Sequence, residues 1–471
     1  MRRERLVPIV VATALFMENT DSTVLSTALP AIAADLRQDP IALKLALTSY
    51  LVSLAVFIPV SGWMADRFGA RNVFRSALAV FMAGSLACAF AGSLPAFVSA
   101  RFLQGLGGAM MVPVGRLVIL RSVPRDDLVN AMAWVTMPAL VGPVIGPPLG
   151  GFITTYLDWR WIFFINLPVG LAGILLATRF MPDIRETERR RLDILGFVTF
   201  GLGLALLMLG FSTGGRHLIP LEASVGAGGA GAVLVAIYVR HALRSPAPLV
   251  DLALLRLPTL RDGLIGGVLF RVGVGAIPFL LPLMLQLGWG LSPLHSGLLT
   301  FASAAGAMVM KGLAARILRL FGFRQVLLWN AVVASSFIAV NGFLSPSTPA
   351  VLVLAILLVG GCFRSLQFTS LNTIVYADVP PERMSGATSL VSVTQQVAIS
   401  AGIAVGAGVL QIASQVGHGS ELATDDFWPA FVAVGLISAS SAFFFARLHP
   451  DAGAEMAGRA TIRAKPTADA V

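Results

Sequence analysis

Two carboxylates, Glu18 and Asp21, sit three residues apart inside a long apolar run, and three arginines, Arg101, Arg271 and Arg364, sit inside other such runs. A charge at the centre of a bilayer costs at least about 3 kcal/mol unless it faces a partner or water, so charges kept there point to function. Residues three apart share a helix face, which sets Glu18 beside Asp21. Burial and mutual repulsion favour a proton on one of the two acids, and a nearby arginine favours its release. That is the chemistry of a proton carrier. Three arginines against two carboxylates leave a charge of +1 when both acids are ionised and +2 when one is protonated, a balance that suits an anion. Arginine can grip a carboxylate through two parallel hydrogen bonds, which makes Arg271 and Arg364 candidate anion ligands. They serve equally well as partners for helix ends and carbonyls. Gln104, Gln367, Asn372 and Gln396 are candidate neutral contacts, each also explained as an interhelical tie.

The runs that carry these groups define the molecule. Of the 471 residues, 56% are hydrophobic and 12% are charged, and the mean hydropathy is +0.82. Soluble domains carry roughly 25% charged residues. Apolar runs of about 20 residues, enough to cross a bilayer core, recur throughout the chain. This excludes a soluble enzyme, a nucleic-acid-binding domain, a disordered chain and a β-barrel, whose strands would alternate over about 10 residues. The reading is an all-α polytopic membrane protein. Its predicted spans are 7–29, 45–65, 73–93, 97–120, 130–154, 160–181, 194–213, 219–239, 263–287, 295–317, 326–345, 350–375, 387–413 and 426–446. The basic start and first apolar run mimic a signal peptide, but Glu18 and Asp21 within the run and the many spans after it favour a retained first helix. Cys88 and Cys362 both fall in apolar runs and read as inert buried thiols.

With fourteen spans, 25 of the 34 basic residues fall on the side of the N-terminus and four, Arg37, Lys44, Arg160 and Arg216, on the other. Basic loops stay in the cytoplasm, so both termini are expected there, in a bacterial inner membrane. The remaining five are Arg101, Arg116, Arg271, Lys311 and Arg364. Arg116 and Lys311 lie near span ends and are expected to snorkel to the interface. Arg189, Arg190 and Arg191 form a cluster expected to face lipid headgroups. Phe68-Gly69-Ala70-Arg71 is echoed by Phe321-Gly322-Phe323-Arg324, and Arg101-Phe102-Leu103-Gln104 by Arg364-Ser365-Leu366-Gln367, at offsets of 253 and 263 residues. Two related halves explain both echoes. The expected division is a six-helix half at 1–182, a linker with two inserted helices at 183–260, a second six-helix half at 261–447 and a cytoplasmic tail at 448–471.

Gly62-Trp63-Met64-Ala65-Asp66-Arg67-Phe68-Gly69-Ala70-Arg71 resembles the loop between the second and third helices of the major facilitator superfamily. In physical terms Gly62 is expected to let helices approach, Asp66 to accept from arginines or a helix N-terminus, and Gly69 to permit a tight turn, with Arg67 and Arg71 completing a charged latch. Gly142-x-x-x-Gly146-Pro147-x-x-Gly150-Gly151 resembles the superfamily's antiporter motif. Small residues at this spacing let helices touch backbone to backbone. Thr20-Asp21-Ser22-Thr23-Val24-Leu25-Ser26-Thr27-Ala28-Leu29-Pro30 and Trp159-Arg160-Trp161-Ile162-Phe163-Phe164-Ile165-Asn166-Leu167-Pro168 are similar to segments of the fourteen-helix drug:proton antiporters of the EmrB/QacA type, with Thr20 and Ser26 as departures. Ser61 to Arg116, Lys311 and Phe368-Thr369-Ser370-Leu371-Asn372-Thr373 are similar to an MdtD-like subgroup of multidrug and organic-anion efflux proteins.

The resemblance implies two six-helix halves whose first and fourth helices line a central cavity, which puts Glu18, Asp21, Arg101, Arg271 and Arg364 there. It implies Asp21 as the proton carrier, Glu18 as a modulator or second site, and Arg101 as the partner gained and lost. A static Asp21–Arg101 lock is the alternative. The expected function is proton-coupled efflux of small amphipathic or drug-like molecules by alternating access. The alternatives are a narrow exporter of an organic anion or metal chelate such as citrate, and a non-transporting membrane sensor. No Walker-type loop or metal-ligand cluster is present in the sequence and no nucleophile–His–acid set in the spans, so no ATP drive, cofactor, metal or enzymatic activity is expected. The expected partners are lipid, protons and a small substrate, with no nucleic acid, and the expected state is a monomer.

Overall fold

A computed structural model of the chain describes residues 3–122, 128–185, 192–213, 220–245, 248–380, 383–417 and 422–457. All regular secondary structure among these residues is helical. The long helices are α1 (Arg3–Asp35), α2 (Lys44–Phe68), α3 (Ala70–Ala89), α4 (Leu94–Ser122) and α5 (Leu128–Tyr156). They continue with α6 (Trp161–Phe180), α7 (Ile194–Thr213), α8 (Leu221–Ala242), α9 (Pro258–Leu283) and α10 (Pro293–Phe321). The last four are α11 (Phe323–Val340), α12 (Ala350–Ile374), α13 (Met384–Gly417) and α14 (Thr424–Phe445). Twelve are long and apolar enough to cross a membrane by length and composition. The other two, α1 and α5, run for 33 and 29 residues. Every predicted span falls on one of these helices, and α7 covers the predicted residues 194–213. The first helix is longer at both ends than the predicted 7–29.

Local chemistry sets the breaks. Gly69, at φ +89°, separates α2 from α3, and Gly322, at φ +78°, separates α10 from α11, so the first sequence echo is the same glycine-hinged corner built twice. Ser292 caps α10 by accepting from the His295 amide, with Pro293 in the first turn.

The packing repeats with the sequence. Helix α1 packs on α4, α5 and α6, α3 on α4 and α6, and α2 on α4. Eight helices later, α9 packs on α12, α13 and α14, α11 on α12 and α14, and α10 on α12. The two sets meet through α5 with α10 and α2 with α13. Helices α7 and α8 pack on each other, and α7 also lies against α2 and α13.

The cores are unequal at the two ends of the bundle. Toward the end of α1, one apolar core holds residues of both sets, among them Leu25, Leu29, Phe97, Phe163, Phe279, Leu283, Phe427 and Phe431. Toward its start the two sets have separate cores, one around Val11, Phe74, Phe81 and Val118 and one around Phe270, Phe323, Leu371 and Phe445. At the shared end, a methyl placed on Gly151 would lie 2.4 Å from the Pro293 carbonyl oxygen, and one on Gly297 would lie 2.2 Å from that of Pro147. Helices α5 and α10 therefore touch backbone to backbone. The Leu294 amide donates to Thr155 Oγ1 at 3.1 Å, and Gln286 Nε2 donates to the Thr27 carbonyl at 2.8 Å.

Candidate functional site

Asp21 lies halfway along α1 and is 4% exposed. Helix α4 presents Arg101 and Gln104 to it from successive turns, and α6 presents Asn166. Arg101 Nη1 donates to Asp21 Oδ2 at 2.7 Å. Gln104 Nε2 and Asn166 Nδ2 donate to Asp21 Oδ1 at 2.8 and 2.9 Å. Asn166 also donates to Ser85 Oγ at 2.9 Å, and Ser85 donates to the Phe163 carbonyl at 3.1 Å. The Tyr50 ring faces the Arg101 guanidinium at 4.5 Å. This polar cluster ties α1, α3, α4 and α6 together and gives a carboxylate three charge-matched or amide donors.

Glu18, one turn earlier, has a different environment. It is partly buried, and its Oε2 is enclosed without a hydrogen-bond partner. The charges of Arg116 and Asp21 reach it. The Tyr50 hydroxyl is also buried without a partner and feels Glu18.

In the second set, Arg271 on α9 is fully buried. Its Nη2 donates to Asn372 Oδ1 at 2.9 Å, and its guanidinium lies 5.6 Å from the centre of the Phe368 ring. Its Nε and Nη1 are buried without a partner, and no carboxylate pairs with it among the described residues. Arg364 donates to Ser303 Oγ from α12 to α10 and borders a cavity of about 10 Å³ with Phe337, Asn341 and Leu357. That space matches roughly one water. Arg271 and Arg364 thus have separate surroundings.

The neutral candidates divide likewise. Gln104 belongs to the Asp21 cluster. Gln367 is fully buried, accepts from Asn330 Nδ2 at 2.7 Å and donates to the Leu327 carbonyl at 3.1 Å, tying α12 to α11. Asn372 is the partner of Arg271. Gln396 is partly buried on α13.

At the α2–α3 corner, Arg121 Nη1 donates to Asp66 Oδ1 at 3.1 Å, from the end of α4. Arg67 lies 5.5 and 5.8 Å from the ring centres of Trp63 and Phe68, and Arg71 Nε is buried without a partner. Gly62 does not serve close helix approach: a methyl there would meet nothing within 4 Å, because that face of α2 looks onto open space. The α5 glycines do. Methyl groups on Gly142, Gly146 and Gly150 would lie 2.8, 2.0 and 2.5 Å from the hydroxyls of Thr20, Thr23 and Thr27 on α1, while Gly151 faces α10 next to Pro147. The Arg189–Arg191 run lies outside the described residues. Lys311 is exposed on α10, and exposed Arg116 exerts its charge on Glu18 and on Tyr376 of the second set. Among the described residues, no three His, Cys, Asp or Glu side chains gather where a metal could bind.

Sequence reasoning did not assign Ser85, Asn166, Tyr50 or Arg121 to these clusters. Lone polar residues in apolar runs, Ser85 and Asn166, were the available signal.

The profile of the Major Facilitator Superfamily matches residues 11–403 and 263–468. The chain is 38% identical over 450 residues to the "Putative multidrug resistance protein MdtD" of Salmonella paratyphi A, covering 94% of each. It is 38% identical over 445 residues to the protein of that name from Pectobacterium atrosepticum, covering 94% of this chain and 95% of that one. Among solved structures, a D-xylose-proton symporter superposes with a TM-score of 0.68 at 14% identity, covering 94% of this chain and 97% of that one. The human organic anion transporter MFSD10 (TETRAN) superposes with a TM-score of 0.61 at 17% identity, covering 94% and 100%. At these identities the structural likeness is one of fold.

Proposed function

The chain belongs to the major facilitator superfamily, and from that membership we propose that it is a proton-coupled antiporter, not an enzyme, that exports small amphipathic or drug-like molecules by alternating access. The observation that carries this reading is the unequal core. One core joins the two helix sets at one end and two separate cores stand at the other. Two bodies that share their main core at one end, with a smaller contact of Val52 and Val56 on α2 with Val393 on α13, can rock about a site at mid-depth. Glu18, Asp21, Arg271 and Arg364 lie near the middle of their helices, and Arg101 reaches Asp21.

With both termini in the cytoplasm of a bacterial inner membrane, as the basic residues favour, the shared core seals the outer face and the state is inward-facing. The proton gradient supplies the drive without a cofactor, and a monomer suffices. The test is accumulation of tetraphenylphosphonium by energised inverted vesicles containing the protein. Uptake that a protonophore abolishes supports the proposal. Equal uptake in vesicles lacking the protein overturns it.

Arg271 favours a second reading, export of an organic anion or metal chelate. A buried guanidinium with two donor atoms unpartnered and no acid beside it is costly unless an anion visits. Citrate with and without iron, used as the probe in the same vesicles, separates the two readings.

A further inference from the structure

We infer that Glu18, and not Asp21, is the group that takes up and releases the transported proton, while Asp21 is the fixed anion that holds the first helix set together. This inference rests on the proton-coupled reading and assigns its site.

Asp21 is the more encased of the two acids. Both of its oxygens are occupied by donors, Arg101 on one and Gln104 and Asn166 on the other. Protonating it would strip Arg101, itself 1% exposed, of its counter-charge within the protein. Its donors come from α4 and α6, which pack against α1 in the same set. Rocking one set against the other leaves this cluster unchanged, so nothing in the transport movement reaches it.

Glu18 differs on each point. Its enclosed Oε2 has no donor, so a proton added there breaks no bond in the protein and relieves an uncompensated buried oxygen. It also sits one turn closer than Asp21 to the end where the two cores part: Met17 belongs to the separate first core, and Val24 to the shared one. Water that enters between the sets meets Glu18 first.

The charged and titratable groups acting on Glu18 are Asp21 on its own helix, Arg116 on α4 and, through the Tyr50–Asp21–Arg101 cluster, Tyr50 on α2 and Arg101 on α4. Arg116 also acts on Tyr376, and Tyr376 is acted on by Arg271, both in the second set. The proton taken up at Glu18 passes to water that enters where the two cores part.

Two measurements on the full-length protein test the assignment. In pH-difference infrared spectra of purified protein, the carbonyl band of a protonated carboxyl is expected to vanish in Glu18→Gln and to return, shifted, in Glu18→Asp. A band that persists unchanged in Glu18→Gln overturns the inference, and this readout needs no transport. In liposomes, Glu18→Gln is expected to lose proton movement linked to tetraphenylphosphonium or citrate while still exchanging the same probe down its gradient. Proton movement at the wild-type level in Glu18→Gln overturns the inference. Wild-type protein that moves no protons with either probe overturns the antiport reading instead, and the infrared band still decides which carboxyl titrates.

Discussion

Arg101 and Asp21 form an ion pair at 2.7 Å, with side chains 1% and 2% exposed, that joins α4 to α1. Among the described residues the second set has no buried arginine–carboxylate pair joining two helices. At the 253-residue offset that relates Gly69 to Gly322, Asp21 corresponds to Val274 and Glu18 to Arg271. Arg364, the echo of Arg101, donates to Ser303 instead. The two halves share a scaffold and differ at mid-helix, with Glu18, Asp21 and Arg101 in the first and Arg271 and Arg364 in the second.

Breaking this pair from one side strands a buried charge. Arg101→Met or Asp21→Leu alone should cost about 3–5 kcal/mol, and the double substitution should restore most of that loss. Unfolding in detergent, followed by tryptophan fluorescence against temperature, measures it. Single variants as stable as the parent would show that the pair contributes little.

The α5 glycines divide from Gly62 on the same logic. Gly146→Ala places a methyl 2.0 Å from Thr23 Oγ1, so α1 and α5 must separate, and yield and melting temperature should fall sharply. Gly62→Ala meets open space and should be neutral or stabilising by up to about 1 kcal/mol, since alanine favours the helix. Equal effects from the two would refute the packing.

Arg271 separates structure from binding. Arg271→Gln keeps a donor for Asn372 but removes the charge, and citrate-dependent flux should fall by about tenfold or more, the weight of one charged hydrogen bond. Stability should hold or rise, because the buried cation has no acid partner. Unchanged citrate flux together with lost stability would make Arg271 a structural group.

The tight α5–α10 contact predicts a cross-link. Cysteines at Thr155 and Leu294, placed where the Leu294 amide reaches Thr155 Oγ1 at 3.1 Å, should join on mild oxidation in a background with Cys88 and Cys362 replaced. Transport should stop and return on reduction. Full transport by the cross-linked protein would show that this end does not need to open.

The architecture was legible because it is written in long-range periodicity. Spans, repeats and the glycine corners Gly69 and Gly322 follow from apolar length and turn chemistry, which neighbours do not override. The surroundings of the site residues were less legible. Glu18 and Asp21 look alike in sequence, three residues apart on one face, yet one is encased by donors from α4 and α6 and the other keeps a buried oxygen without a partner. That difference depends on how α6 turns Asn166 inward, which no local pattern encodes. Gly62 fits a motif whose glycine suggests contact, but the helix it would contact lies elsewhere. Gln104 and Gln367 stand at equivalent places in the echo and tie different neighbours, an acid in one half and an asparagine in the other.

The most direct test of proton-coupled antiport is made on purified protein in liposomes loaded with a pH-sensitive dye. Tetraphenylphosphonium or citrate, with and without iron, is added in turn across an imposed proton gradient. Antiport predicts proton movement that starts on addition of at least one of these and is absent from protein-free liposomes. Substrate flux through the protein with no accompanying proton movement would contradict it.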